Sequence, residues 1–123
     1  MICGITRGTT KAHLVYATLE AIAQQNADLL EAMHGIQTLR VDGGASRNNF
    51  LMQLQADLLG ISVERPAEIE TTAFGAALIA GQTIEFFGDT APWRAERIFM
   101  PQITQDERVQ RREAWRRAVA RAI

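Results

Sequence analysis

Leu39-Arg40-Val41-Asp42-Gly43-Gly44-Ala45-Ser46-Arg47-Asn48-Asn49-Phe50 reads as a short strand, a tight Gly-Gly turn and the start of a helix. This layout suits a phosphorylated ligand for physical reasons. Two glycines put no side chain between backbone and ligand, and they take up positive φ without strain. The helix that follows turns its free N–H groups and the positive end of its dipole toward whatever lies above the turn. In open α/β sheets ligands collect at the carboxyl ends of strands, where such a turn lies. A plain strand-to-helix connection explains the same residues, since two glycines say less than a full GxGxxG. On local spacing both readings stand.

Upstream of the turn, a helix is expected from Thr9 or Thr10 to near Gly35, with no Gly or Pro between. Val15, Leu19, Ile22, Leu29 and Met33 recur at helical spacing, and Leu14, Ala23 and Leu30 widen the stripe into an expected core face. Thr38 to Asp42 is the strand. Downstream, Ser46 or Asn48 is placed to cap a helix whose buried face is Phe50, Leu51, Leu54 and Leu58, closed by Gly60. Ile61 to Arg65 alternates apolar and polar residues as a short strand stopped by Pro66.

Thr71 or Thr72 is then expected to cap a third helix ending at Phe86-Phe87-Gly88. Its Ala73, Ala76, Ala77, Ala80 and Gly81 allow close packing on a neighbour. Residues 89–103, with Pro92 and Pro101, read as an irregular connection. Thr104-Gln105-Asp106-Glu107 matches a capping box for a last helix, in which Trp115, Ala118, Val119 and Ala122 form an apolar stripe. Arg108, Arg111, Arg112, Arg116, Arg117 and Arg121 read as a solvated face rather than a nucleic-acid surface. The order of elements is α/β, with two clear strands. Parallel sheets normally have several strands covered on both faces, so the chain is expected to be part of a larger sheet.

The 123 residues fit one domain at most. Thirteen basic and fourteen acidic side chains give a net charge of −1, which argues against a general nucleic-acid or membrane-surface binder. Cys3 is the single cysteine, so no internal disulfide forms, and a cytoplasmic location is expected. No apolar run approaches a bilayer span. With one cysteine, and with His13 and His34 at opposite ends of one helix, no metal site of usual spacing is expected. Asp42 is the one carboxylate at a strand end beside the glycines. It either accepts hydrogen bonds within the turn or orients a metal-bound water. Phosphoryl transfer also needs a base and carboxylate-held metal, so the chain alone is not expected to be an enzyme.

Several motifs, in order, resemble the FGGY carbohydrate kinases. They are Gly4-Ile5-Thr6-Arg7-Gly8-Thr9 with His13-Leu14 and Ala17-Thr18-Leu19-Glu20, then Leu39 to Ala45 with Asn48-Asn49-Phe50-Leu51-Met52-Gln53. Val63-Glu64-Arg65-Pro66 and Glu70-Thr71-Thr72-Ala73-Phe74-Gly75-Ala76-Ala77 follow. Within the family the pattern is most like the glycerol-phosphorylating members. The resemblance covers residues 2–81 strongly and the last helix weakly. It departs at Phe74, at Gln82 to Glu85 and from Trp93 onward.

What the resemblance implies is a partial ribonuclease-H-like domain of the actin and sugar-kinase type, helix-rich with a small incomplete sheet. Residues 1–123 would be the C-terminal portion of the second kinase domain. The complete protein would convert glycerol to glycerol 3-phosphate with ATP and Mg, the metal ligands and catalytic groups lying outside this chain. Gly43, Gly44, Ala45 and Asn48 would border the nucleotide, ATP or ADP. The implied partner is the N-terminal part of the kinase, and an uncovered sheet edge also favours a homo-oligomer. The alternatives are a non-catalytic remnant that binds nucleotide or a partner, and a fragment of another FGGY sugar kinase.

Overall fold

In the computed structural model, which describes residues 1–84 and 94–122, Thr10 opens helix α1, Lys11–Met33. The Thr10 hydroxyl accepts from the His13 backbone N–H, and the His13 ring accepts from the Thr10 N–H at 3.1 Å, closing a reciprocal capping box. Strand β1, Thr38–Arg40, leads through the glycines into a short 3-10 turn, Gly44–Arg47, and then helix α2, Asn49–Leu59. Asn48, not Ser46, caps α2: its Oδ1 accepts from the N–H groups of Phe50 and Leu51 at 3.1 and 3.2 Å. Gly60 ends the helix in the left-handed conformation, φ 70°. Strand β2, Ser62–Pro66, helix α3, Thr71–Thr83, strand β3, Ala95–Phe99, and helix α4, Gln105–Ala120, complete the order.

The sheet runs β1-β2-β3. β1 and β2 are parallel, with Leu39 opposite Val63, and α2 is the crossover between them. β3 is antiparallel to β2, pairing Val63 with Phe99 and Arg65 with Arg97. It lies inside the segment expected to be irregular. Ala95-Glu96-Arg97-Ile98-Phe99 shows little alternation, and its strand character comes from the edge that β2 offers. Two further contacts dock the chain beyond it. Gln53 Nε2 donates to the Met100 carbonyl at 2.8 Å, and the buried Asp57 accepts from the Gln102 N–H at 2.7 Å.

Helix α2 lies between α1 and the sheet and is buried over most of its surface. Leu51, Met52, Leu54, Ala56 and Leu58 form the core with Ala23, Val63 and Phe99, and Tyr16, Leu19, Leu39 and Val41 pack at its margin. Phe50, expected in this core, is half exposed and meets Tyr16 edge to face at 5.8 Å. The expected α1 face is also corrected. Ala23, Gln24 and Ala27 are buried, while Val15, Leu29 and Met33 are about 60 % exposed. Small residues let α1 approach α2 closely, which turns the larger apolar side chains outward. On α3, Gly81 is the buried residue among those described. The alanines expected to pack closely are exposed, as are Phe74 and Ile79. The expected end of α3 at Phe86, Phe87 and Gly88 lies outside the described residues.

Helix α4 corrects the reading of its arginines as a uniformly solvated face. Thr104 caps it, but the Glu107 carboxylate turns to Arg111 at 2.6 Å instead of completing the box. Arg112 is buried against α1. Its guanidinium donates to the Gln24 carbonyl and side chain at 3.1 and 2.8 Å, and to Asp28 at 2.6 Å. Glu31 lies 2.9 Å from the same group. Trp115, expected in an apolar stripe, donates its indole N–H to Asp28 at 2.8 Å.

Burial of Asp28 raises its pKa, but hydrogen bonds from Trp115 and Arg112 and the charges of Arg112 and Arg116 outweigh that and lower it. A carboxylate with a lowered folded pKa adds stability that is complete above its unfolded value, near pH 3.8. That stability is lost as pH falls through the folded value. Thermal melts from pH 7 down to pH 3 should therefore show an acid-side loss that is smaller in Asp28→Asn. Identical acid limbs for the two proteins would show that Asp28 does not carry it.

Candidate nucleotide-facing turn

The glycine turn is built mainly from backbone. After β1 the Val41 N–H still donates to the Glu64 carbonyl at 3.0 Å. The chain then swings through Gly43 at φ 74°, a conformation that an L side chain adopts only with strain. The Gly43 N–H donates to the Ile69 carbonyl at 2.7 Å, joining the loops that follow β1 and β2. The Gly43 carbonyl accepts from both the N–H and the hydroxyl of Ser46, at 3.1 and 2.7 Å, and Ser46 is buried beneath the turn. Ala45 accepts from the Asn48 N–H at 3.1 Å. Gly43, Gly44, Ala45 and Asn48 thus share one connection at the carboxyl end of β1. Asn48 Oδ1 is committed to its own helix.

Asp42 accepts a hydrogen bond from the Thr71 hydroxyl. This ties the end of β1 to the first turn of α3, whose N-cap, Glu70, makes no side-chain cap bond. Thr71, expected as a helix cap, instead holds Asp42. Among the described residues no three of His, Cys, Asp and Glu are grouped to hold a metal ion.

The two glycines differ in their causes. Gly43 is required by its φ. Gly44 has no such φ, and a Cβ built on it meets no atom of the described residues within 4 Å. The described residues leave room for a side chain at Gly44, and the open side of the turn is where a ligand or another part of a protein can approach the backbone.

Sequence reasoning missed Arg65. It is only 8 % exposed, and its Nη1 donates to the Ser46 carbonyl and to Asn49 Oδ1, both at 2.9 Å. Its Nε donates to Glu96 on β3 at 3.2 Å. The available signal was register: Arg65 stands two residues after the buried Val63, on the face of β2 that enters the core.

The family model for the C-terminal domain of the FGGY carbohydrate kinases matches residues 1–84. The chain belongs to the FGGY family of carbohydrate kinases. Relatives in that family include the glycerol kinases of Petrotoga mobilis, 49% identical over 98% of this chain, and of Dechloromonas aromatica, 52% identical over 98%. Among solved structures, Plasmodium falciparum glycerol kinase with ADP superposes with a TM-score of 0.83 at 26% identity, over 98% of this chain and 26% of that one. A xylulose kinase from Rhodospirillum rubrum, 22% identical, shares the fold with a TM-score of 0.77 over 96% of this chain and 26% of that one. The fold is thus the actin and ribonuclease-H-like fold of FGGY kinases, present here in part. The chain spans about a quarter, 26%, of the length of the glycerol kinases it matches.

Proposed function

We propose that this chain is the C-terminal portion of the second domain of an FGGY kinase that phosphorylates glycerol, and that its glycine turn holds one end of ATP. Gly44 carries the nucleotide assignment: among the described residues neither φ nor packing requires a glycine there, at the carboxyl end of a parallel strand. The ADP in the Plasmodium relative and the glycerol kinase relatives support the choice of ligand and substrate. Gly43, Gly44 and Ala45 would offer backbone to the nucleotide, with Asn48 beside them. ATP supplies the transferred phosphoryl group, with Mg held by residues outside this chain. The position of β1 at the end of the described sheet and the exposed apolar stripe of α1 support placing the remainder of a kinase against them. Cys3 and the lack, among the described residues, of a helix long and apolar enough to cross a membrane support a cytoplasmic setting.

The test uses a full-length kinase in which this chain replaces the matching segment of a glycerol kinase relative. Gly44→Val should weaken ATP binding about tenfold, a loss of about 1.4 kcal/mol, and leave glycerol binding unchanged. Equal losses for both ligands would remove the nucleotide assignment. The isolated 123-residue chain should show no transfer from ATP to glycerol in a coupled assay. Measurable turnover would show that the catalytic groups are present here after all.

A further inference from the structure

We infer that Arg65 is the positioning residue of the nucleotide turn and that Glu96, from a strand beyond the matched family domain, holds it there. The inference rests on the nucleotide reading of Gly43 and Gly44. The turn is fixed from above by the Gly43 to Ile69 backbone bond, and from below by one guanidinium. Arg65 Nη1 reaches both the carbonyl of Ser46, inside the 3-10 turn, and the side chain of Asn49, the first residue of α2. Nη1 gives one N–H to each acceptor while Nε, rigid in the same plane, is held by Glu96, so the planar guanidinium fixes the turn relative to the helix.

Burial makes this arrangement specific. At 8 % exposure the guanidinium has little water to replace a lost partner. Glu96 supplies the countercharge at 3.2 Å, and the Phe99 ring lies 5.6 Å from the guanidinium carbon. Glu96 and Phe99 both belong to β3, outside residues 1–84 that match the family domain. The line of contact therefore runs from Gly43 through Ser46 to Arg65 on β2, and on to Glu96 on β3. Arg65 touches no ligand in this scheme and acts through the backbone that Gly44 and Asn48 share.

The experiment measures dissociation constants for ADP and glycerol by titration calorimetry, with melting temperatures, in the grafted full-length kinase. Arg65→Met should weaken ADP about tenfold, and the milder Asn49→Ala about threefold, with glycerol affinity unchanged. Val63→Ala, a buried neighbour on the same strand, should lower the melting temperature without separating the two affinities. If Arg65→Met does not fold, Asn49→Ala decides. A fall in melting temperature alone, as for Val63→Ala, or parallel losses for both ligands, would overturn the positioning role. If Gly44→Val separates the affinities and Asn49→Ala does not, the inference falls while the nucleotide reading stands. If Gly44→Val itself fails to separate them, the nucleotide reading falls and takes the inference with it.

Discussion

Phe99→Ala is expected to destabilise the chain by about 3–5 kcal/mol, the range for truncating a fully buried aromatic side chain. Phe99 is 3 % exposed, pairs with Val63 across the sheet and belongs to the same core as Leu51, Met52 and Leu54. Its ring also lies 4.8 Å from the Arg97 guanidinium carbon, close enough for a favourable cation–ring contact that alanine removes. Because β3 lies beyond residues 1–84, the result would show that the matched domain does not close its core without the segment that follows it. Urea denaturation of the 123-residue chain reads the effect directly. A loss below about 0.5 kcal/mol, the ordinary range for a surface change, would mean that β3 is not docked as described.

Arg112→Met is expected to cost about 2–3 kcal/mol. Removing one partner from a buried ion pair typically costs about 3–5 kcal/mol. The lower range applies here because Asp28 and Glu31 are about half exposed and regain water when the guanidinium is gone. Gln24 is the severe part of the loss: it is 2 % exposed, and its carbonyl and side chain both accept from Arg112. Lysine should not rescue, since one ammonium cannot reproduce the fork that reaches Gln24 and Asp28 together. Equal unfolding midpoints for wild type and Arg112→Met would show that α4 is not anchored to α1 through this group. Arg117, exposed and paired within its own helix to Glu113, serves as the comparison and should change stability by less than about 0.5 kcal/mol.

Features governed by local rules were legible in the sequence. The Gly60 stop and the Thr104 helix start follow from a residue and its nearest neighbours, which also narrow the other caps to Ser46 or Asn48 and to Thr9 or Thr10 and the positive φ to the glycine pair; the structure selects Asn48, Thr10 and Gly43. The grouping of Gly43, Gly44, Ala45 and Asn48 on one turn was legible for the same reason. Features that depend on distant partners were not. Helical spacing placed Val15, Leu29 and Met33 on one face, but that face is buried only where another element covers it, and here Ala23 and Ala27 meet α2 instead. The period of α4 could not say which of its arginines would meet Gln24. Nor did Ala95 to Phe99 carry its own strand signal, because β2 supplies it. A charged residue at a core register position, such as Arg65, reads in sequence as the end of a strand pattern, because the partners that bury it lie on other elements.

The pairing of β2 has a consequence for the order in which the chain comes together during synthesis. No two strands of this sheet form a local hairpin: β1 reaches β2 across α2, and Glu64 waits for Ile98, its register partner across α3 and the segment after it. Such non-local pairing is slow, because the intervening chain must be ordered before the contact repays it. As the chain leaves the ribosome, Arg65 emerges well before Glu96, so the charge beneath the glycine turn stays open to water until β3 arrives. The turn is written early in the chain and acquires its last support late.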